Sequence, residues 1–277
     1  MNCTKAIIAV AGYGTRRLPI TKAIEKCMLP VGNRPIIDYV VDDCIRAGIT
    51  EFFFVVGEEF SQLKRYYGHH QLLEEYLQNK GKIKELEEIS ELRSKARFHY
   101  VIQDQHQPYG TTTPIWLCRQ FVHPDEKVLV VFGDQFFYRE DNGSEVARFI
   151  ERAQHSGTPS AMLANEVSWD EVHNYGVVVT KDEDGREIYE RIVEKPTKEE
   201  APSNLNNSSC FLMGRDIFPF LEENMNAERS GEYMITDVIN AYTAAGSRMA
   251  VIRAEGEFLD CGTTEGWLHA NQRLITG

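Results

Sequence analysis

The stretch Lys5–Pro30, KAIIAVAGYGTRRLPITKAIEKCMLP, constrains this chain more than any other. Ala6–Ala11 is a short, almost wholly apolar run, the mark of a strand buried on both faces. Gly12 and Gly14 then let the backbone turn sharply and leave bare main chain for a ligand to approach. Arg16, Arg17, Lys22 and Lys26 follow, with Glu25 the only acid among them. The chain of 277 residues carries a formal net charge of −12. Four cations crowded into about one loop therefore point to an anionic guest, and a polyphosphate suits them best. The spacing alone leaves open an ordinary surface turn with solvated charges.

Two familiar phosphate loops do not fit. A Walker A loop ends in Gly-Lys-Ser/Thr, which is absent here. In the dinucleotide fingerprint a third glycine opens a helix, and Arg17 stands at that place. Pro19 and Pro30 also oppose a helix that starts directly, because each lacks an N–H and restricts the residue before it. The strand should instead feed a long ordered loop, and such loops in compact domains are usually functional.

Composition narrows the class. A chain of this length buries a substantial core, as one large domain or one with an added subdomain. No apolar run approaches the ~20 residues of a membrane span, and the N-terminus lacks a signal-peptide core. Cys3, Cys27, Cys44, Cys118, Cys210 and Cys261 are scattered without a CxxC pair. That pattern fits reduced thiols better than a disulfide frame or a zinc site. The acidic balance argues against nucleic acid as a partner. The expectation is a soluble, cytoplasmic enzyme without membrane association.

The order of elements alternates. A helix is predicted from Pro35 to about Ala47, stopped by Gly48, followed by a buried strand at Phe52–Val56. Phe60–Arg97 reads as helical and strongly charged, broken near Gly81, an insertion on the sheet edge. His69 and His70 within it point about 100° apart on a helix, which suits solvated histidines better than a metal pair. A strand at Phe98–Ile102, a helix over Thr113–Phe121 and a strand at Lys127–Phe132 follow. Repeated strand–helix units predict an α/β fold with a mostly parallel, doubly wound, Rossmann-like mixed sheet, its ligands lying beyond the carboxyl ends of the strands. The first loop, Gln103 and Asp134 all fall on that edge.

The second half is β-rich. Ser160–Val167, Tyr175–Thr180 and Ile188–Val193 read as strands, the last two joined by an Asp184-Gly185 turn and closed by Glu194-Lys195-Pro196. A polar stretch, Lys198–Ser209, leads to a strand at Cys210–Met213. Helices at Ile217–Glu223 and Met234–Ala245, a strand at Met249–Ala254 and a helix from Thr263 to about Ile275 complete the chain. Asp260-Cys261-Gly262 introduces that last helix.

AGYGTRRLPITKAIEKCMLPVGNRPIIDYVV resembles the signature of the sugar-1-phosphate nucleotidyltransferases, above all the bacterial UTP–glucose-1-phosphate uridylyltransferases. Their pattern reads roughly GxGTRxLPxTKxxPKxMLPxxxKPxIxY. Gly12, Gly14, Thr15, Arg16, Leu18, Pro19, Thr21, Lys22, Lys26, Met28, Leu29, Pro30, Pro35 and Tyr39 stand where it wants them. Glu25 replaces the usual proline, and Arg34 the usual lysine.

The resemblance implies a single nucleotidyltransferase domain over 1–277, with a nucleotide half to about residue 140 and a β-rich sugar half from about 141. It implies UTP and glucose-1-phosphate as substrates, Mg2+ as cofactor, and a homo-oligomer. Ala11, Gly12, Gly14, Thr15, Arg16 and Lys26 match nucleotide-binding positions, and Gln103 and Gly110 match those that meet the pyrimidine. Gly176, Glu194 and Lys195 match positions that hold the sugar and its phosphate. Asp134 and Asp260 match the metal-binding carboxylates. Magnesium indeed favours one or two carboxylates with water and phosphate oxygens, although each aspartate could equally cap a turn. Arg16, Lys26, Asp134 and Lys195 form the implied catalytic set.

Departures remain. The family's GLGHA is PYGTT here (Pro108–Thr112), Ser209 replaces a glycine, and Met234 stands for a glutamine, while Glu232, Thr236 and Asp237 are kept. A thymidylyltransferase, a uridylyltransferase for another sugar-1-phosphate, and a catalytically silent sugar-nucleotide-binding regulator therefore stay open.

Overall fold

The structure, a computed structural model, describes residues 3–276. Strand β1 (Lys5–Ala9) buries Ala6, Ile7 and Ile8 completely. It has a parallel neighbour on each side, and burial on both faces is why its sequence shows no alternation. No helix follows. The chain winds through three short 3-10 turns, Thr15–Arg17, Ile20–Lys22 and Lys26–Met28. A minimal hairpin of β2 (Pro30–Val31) and β3 (Arg34–Pro35) leads into α1 (Ile36–Arg46). Gly48, at φ +89°, ends that helix by taking a left-handed conformation that a β-carbon would strain.

Strand β4 (Glu51–Val56) is followed by the charged insertion, which forms α2 (Gln62–Tyr67), α3 (Gln71–Asn79) and α4 (Ile83–Lys95). His69 and His70 are exposed ahead of α3. Next come β5 (Arg97–Ile102), α5 (Thr113–Cys118), β6 (Val128–Phe132) and β7 (Gln135–Tyr138). Helix α6 (Glu145–His155) has no counterpart in the sequence reading. Its signal was nonetheless present: Ser144 accepts the Ala147 N–H at 2.9 Å as a cap, and Val146, Phe149, Ile150 and Ala153 form a buried stripe at helical spacing.

The chain continues through β8 (Ser160–Glu166), β9 (Gly176–Glu183), β10 (Arg186–Glu194) and β11 (Leu205–Met213). The last five residues of the stretch read as polar (Lys198–Ser209), from Leu205 onward, belong to strand β11. Two of its polar residues are buried with partners: Asn206 donates to Asn165 Oδ1 at 3.1 Å, and Ser208 to the Leu163 carbonyl at 2.5 Å. Hydropathy cannot register polar groups satisfied in this way. Helices α7 (Phe218–Asn226) and α8 (Ile235–Ala244), strands β12 (Met249–Arg253) and β13 (Glu257–Asp260), and α9 (Thr264–Thr276) close the sequence.

One nine-stranded sheet runs through both halves in the order β5-β4-β1-β6-β11-β8-β12-β10-β9. The expectation of a mostly parallel sheet needs correction. The first four strands are parallel, and so is the β8–β12 pair. The pairs β6–β11, β11–β8, β12–β10 and β10–β9 are antiparallel, so the sheet is mixed as expected but not mostly parallel. The cause is local in part: Asp184 and Gly185, at φ +55° and +75°, make a two-residue turn that forces β9 and β10 into a hairpin. Side chains alternate between two cores. Ala6 and Ile8 pack with α1 and α6 on one face, while Ile7 packs with α5, α7 and α8 on the other.

Candidate functional site

Strands β1, β4, β5 and β6 stop in register, with Ala9 beside Val55 and Phe132, and Val56 beside Ile102. Everything just past these ends is delivered to one edge. A cleft of about 550 Å³ opens there, lined on one side by Ala11, Gly12, Thr15, Arg16 and Lys26 of the first loop. Gln103, Gly110, Asp134, Lys195 and Met234 line the other. A second cleft of about 1010 Å³ shares Arg16 and Lys195 with it and reaches Tyr175 and Asp260. Gly176 and Glu194 line neither of these two clefts. They face each other across the β9–β10 pair, and a β-carbon at 176 would lie 3.2 Å from both Glu194 carboxylate oxygens.

Gly14 packs inside the loop. At φ +64°, a β-carbon there would sit 3.0 Å from Thr21 Cγ2 and 3.1 Å from Lys26 Cβ. Its close packing seats the stem of Lys26. Gly110, at φ +145°, comes so near residue 233 that a β-carbon would strike the Tyr233 carbonyl oxygen at 2.3 Å. The Tyr233 N–H donates to the Tyr109 carbonyl, and the Thr112 N–H to the Tyr233 carbonyl, both at 2.9 Å. Thr111 Oγ1 accepts the Ile235 N–H at 2.8 Å. The PYGTT stretch is thereby stitched to the segment carrying Glu232 and Met234.

The two aspartates meet through a pair of short strands. Asp134 immediately precedes β7, and Asp260 ends β13, where it lies opposite Gln135 in an antiparallel pair. The Cys261 N–H donates to the Asp134 carbonyl at 3.0 Å. Around Gly262 the charged ends converge: a β-carbon there would lie 2.8 Å from Asp260 Oδ1, 3.6 Å from Lys26 Nζ and 3.7 Å from Asp134 Oδ2. Lys26 forms an ion pair with Asp134. Asp260 Oδ1 accepts the Gly262 N–H at 2.7 Å. Burial and then the charge of Asp134 hold the Asp260 carboxyl above its ordinary range, against the pull of that N–H, Lys26 and Arg16. The half-buried Tyr175 phenol is pushed up to about 12 by burial and by Asp260 beside it. Tyr175 is a site residue that the sequence reading passed over. Among the described residues no cluster of three His, Cys, Asp or Glu side chains forms. Two converging carboxylates in an open cleft suit a magnesium ion that also takes water and phosphate oxygens.

The four cations of the loop divide. Arg16 is exposed in the cleft without an ion pair among the described residues. Lys22 is exposed but lines neither of the two clefts. Lys26 is engaged with Asp134. Arg17, read from sequence as part of the anion-binding group, is only 4% exposed and turned away from the cleft. It donates to the carbonyls of Cys261 and Thr263 at 3.0 and 2.8 Å. Lys195 takes a left-handed backbone conformation at φ +45°, fixed by its N–H donating to the Tyr175 carbonyl at 2.9 Å. Strain of this kind in a non-glycine residue is commonest at functional sites.

The departures have local reasons. Glu25 accepts N–H groups at the start of α2. Ser209 sits at φ +50°, in a conformation that favours the glycine it replaces. Met234 Sδ lies 4.0 Å from the Thr111 hydroxyl.

A sheet edge where Arg16 and Lys195 stand without ion pairs among the described residues and two carboxylates converge is the site of a protein that handles phosphate esters by charge and alignment. The family model for nucleotidyl transferases matches residues 5–277. The chain belongs to that family. It is 32% identical over 265 residues to the UTP–glucose-1-phosphate uridylyltransferase of Bacillus subtilis, covering 95% of this chain and 88% of that protein. A UTP-bound UGPase from Acinetobacter baumannii superposes with a TM-score of 0.88 at 27% identity, over 99% of this chain and 93% of that one. A UDP-glucose pyrophosphorylase complexed with UDP-glucose superposes with a TM-score of 0.83 at 29% identity, over 99% of both chains.

Proposed function

We propose that this protein joins UTP and glucose-1-phosphate to give UDP-glucose and pyrophosphate. The reading rests on the meeting of Lys26, Asp134 and Asp260 around Gly262, in a chain that matches uridylyltransferases over nearly its whole length.

A phosphate oxygen of glucose-1-phosphate attacks the α-phosphorus of UTP. The new P–O bond forms in line as the bond to the oxygen bridging the α- and β-phosphorus breaks, and pyrophosphate leaves with that electron pair. The nucleophile is already an anion, so the site needs no general base. What it must supply is alignment and charge. Arg16 and Lys26 hold the triphosphate, the first as a fork for two oxygens, the second as a point charge. Lys195 holds the sugar phosphate, and Glu194 and Gly176, which adjoin Lys195 and Tyr175 at the border of the larger cleft, reach the sugar hydroxyls and the ring when substrate extends past its lining. Asp134 and Asp260 would hold Mg2+, which when bound neutralises phosphate oxygens during the displacement.

Gln103, with Gly110 beside it in the cleft, reads the imide edge of the base. Cytosine presents a donor where uracil presents an acceptor, and a mismatched buried polar pair costs about 1–3 kcal/mol. Thymine shares the imide edge, so dTTP is rejected only through a contact to the ribose 2′-hydroxyl.

A screen of pyrophosphate release over nucleoside triphosphates and sugar-1-phosphates tests the reading. UTP with glucose-1-phosphate should give the highest rate and CTP a low one, with Gln103→Glu narrowing that lead. Release with no pair would leave a binding protein, and comparable rates with UTP, CTP and dTTP would remove the base-reading role of Gln103.

A further inference from the structure

Arg17 stands at a variable position of the family pattern, and the phosphate chemistry leaves it without a task. Its setting is nonetheless highly built. Residues of a 3-10 turn advance by about 120°, so Arg16 faces the cleft while Arg17 points into the protein. The Arg17 guanidinium bridges the carbonyls of Cys261 and Thr263, which flank Gly262 on the turn that carries Asp260. It also lies 4.9 Å from the centre of the Trp267 ring. The Trp267 indole N–H in turn donates to the Pro30 carbonyl at 2.7 Å. The loop is thus gripped at both ends, at Arg17 and at Pro30, by one segment running from Cys261 to Trp267.

We propose that Arg17 is a positioning residue that locks the loop carrying Arg16 to the turn carrying Asp260, so that the triphosphate and metal sites form as one unit. The inference rests on the proposed function for the identity of its ligands. The guanidinium is suited to the task because one nitrogen, Nη1, donates to both carbonyls while its planar face lies over the Trp267 ring. A lysine at the same place keeps the charge but lacks the planar group that stacks on the indole. Coupling of this kind is reciprocal: whatever orders the turn favours binding at the loop, and the reverse.

The test compares wild type, Arg17→Met and Arg17→Lys in three measurements. Mn2+ binding to the nucleotide-free protein is followed by electron paramagnetic resonance, thermal unfolding reports the fold, and steady-state kinetics separate the two substrates. Arg17→Met should weaken Mn2+ binding and raise the KM for UTP, each about ten-fold, with the KM for glucose-1-phosphate held within about two-fold. Arg17→Lys should fall between. A folded Arg17→Met with Mn2+ binding and UTP KM within about two-fold of wild type overturns the proposal. So does an equal rise in KM for both substrates, the sign of a merely structural role. If Arg17→Met does not fold, Arg17→Lys is judged by the same criteria. The Mn2+ titration uses no substrate, so it reads Arg17 even where wild type fails the activity screen, and the two failures stay distinct.

Discussion

Glu25 and Gln62 hold each other from both directions. The Glu25 carboxylate accepts the N–H groups of Ser61, Gln62 and Leu63 at 2.6, 2.7 and 3.2 Å. The Gln62 side chain accepts the Glu25 N–H at 2.9 Å and donates to the Ala23 carbonyl at 3.0 Å. The residue that departs from the family's proline therefore caps α2 and ties the insertion to the phosphate loop. Replacing it with that proline removes the carboxylate and the N–H together. Glu25→Pro should cost about 1–2 kcal/mol and lower Tm by about 2–6 °C. Glu25→Gln, which keeps one acceptor and the N–H, should lose less. An unchanged Tm in Glu25→Pro would show that the clamp contributes nothing.

Asp134 and Asp260 should respond differently to the same substitution. Asp134→Asn removes the charge facing Lys26, a half-buried pair whose loss costs about 1 kcal/mol or more. Asp260 is held above its ordinary pKa by burial and by Asp134, so its ionised form is disfavoured in the folded state. Asp260→Asn removes that burden, and the metal-free variant should melt at or above the wild-type temperature. Both should lose at least about 100-fold in turnover if the pair holds magnesium, and chelator should abolish wild-type activity until Mg2+ is restored. Near wild-type turnover at low magnesium in either variant would make that aspartate a turn cap only.

Arg16 and Lys195 border both clefts without ion pairs among the described residues, so their charge is available to substrate. Arg16→Ala should weaken UTP binding and Lys195→Ala should weaken glucose-1-phosphate binding, each about ten- to hundred-fold. Calorimetric titration of each ligand alone separates the effects. Equal losses of both ligands in both variants would refute the division of labour.

Ser209 carries backbone strain where the family has glycine. It lies at φ +50° in the irregular stretch of β11 between Asn207 and Cys210. Its neighbour Ser208 accepts from the side chain of Gln135, next to Asp134. A left-handed conformation costs a non-glycine residue about 1–2 kcal/mol, while glycine loses more chain entropy on folding. Ser209→Gly should thus be neutral or stabilising by up to about 1 kcal/mol with turnover unchanged, and Ser209→Val clearly destabilising. A loss of stability in Ser209→Gly would mean that the serine side chain makes a contact outweighing the strain.

Features that depend on neighbours along the chain were legible in its residues. Period and apolar runs marked β1, β4, β5 and β6. Proline and glycine chemistry denied a helix after Gly14, and Asp184-Gly185 marked its hairpin. The loop, Gln103 and Asp134 could be placed on one edge because parallel strands share the direction of their ends. Tertiary structure alone decided what depends on groups distant in sequence. Glu25 looks like an acid intruding on a basic loop until Gln62, 37 residues on, comes into contact with it. The family pattern fixes Arg16 and leaves Arg17 variable, and only the Cys261 carbonyl, 244 residues away, assigns Arg17 to the interior. The facing of Asp134 and Asp260 follows from the β7–β13 pairing, which four-residue strands are too short to announce by pattern. Local propensities report on covalent geometry and on alternation of burial. Ion pairs, caps and antiparallel returns between remote segments are set by which surfaces the completed sheet brings together, and no window along the chain contains both partners.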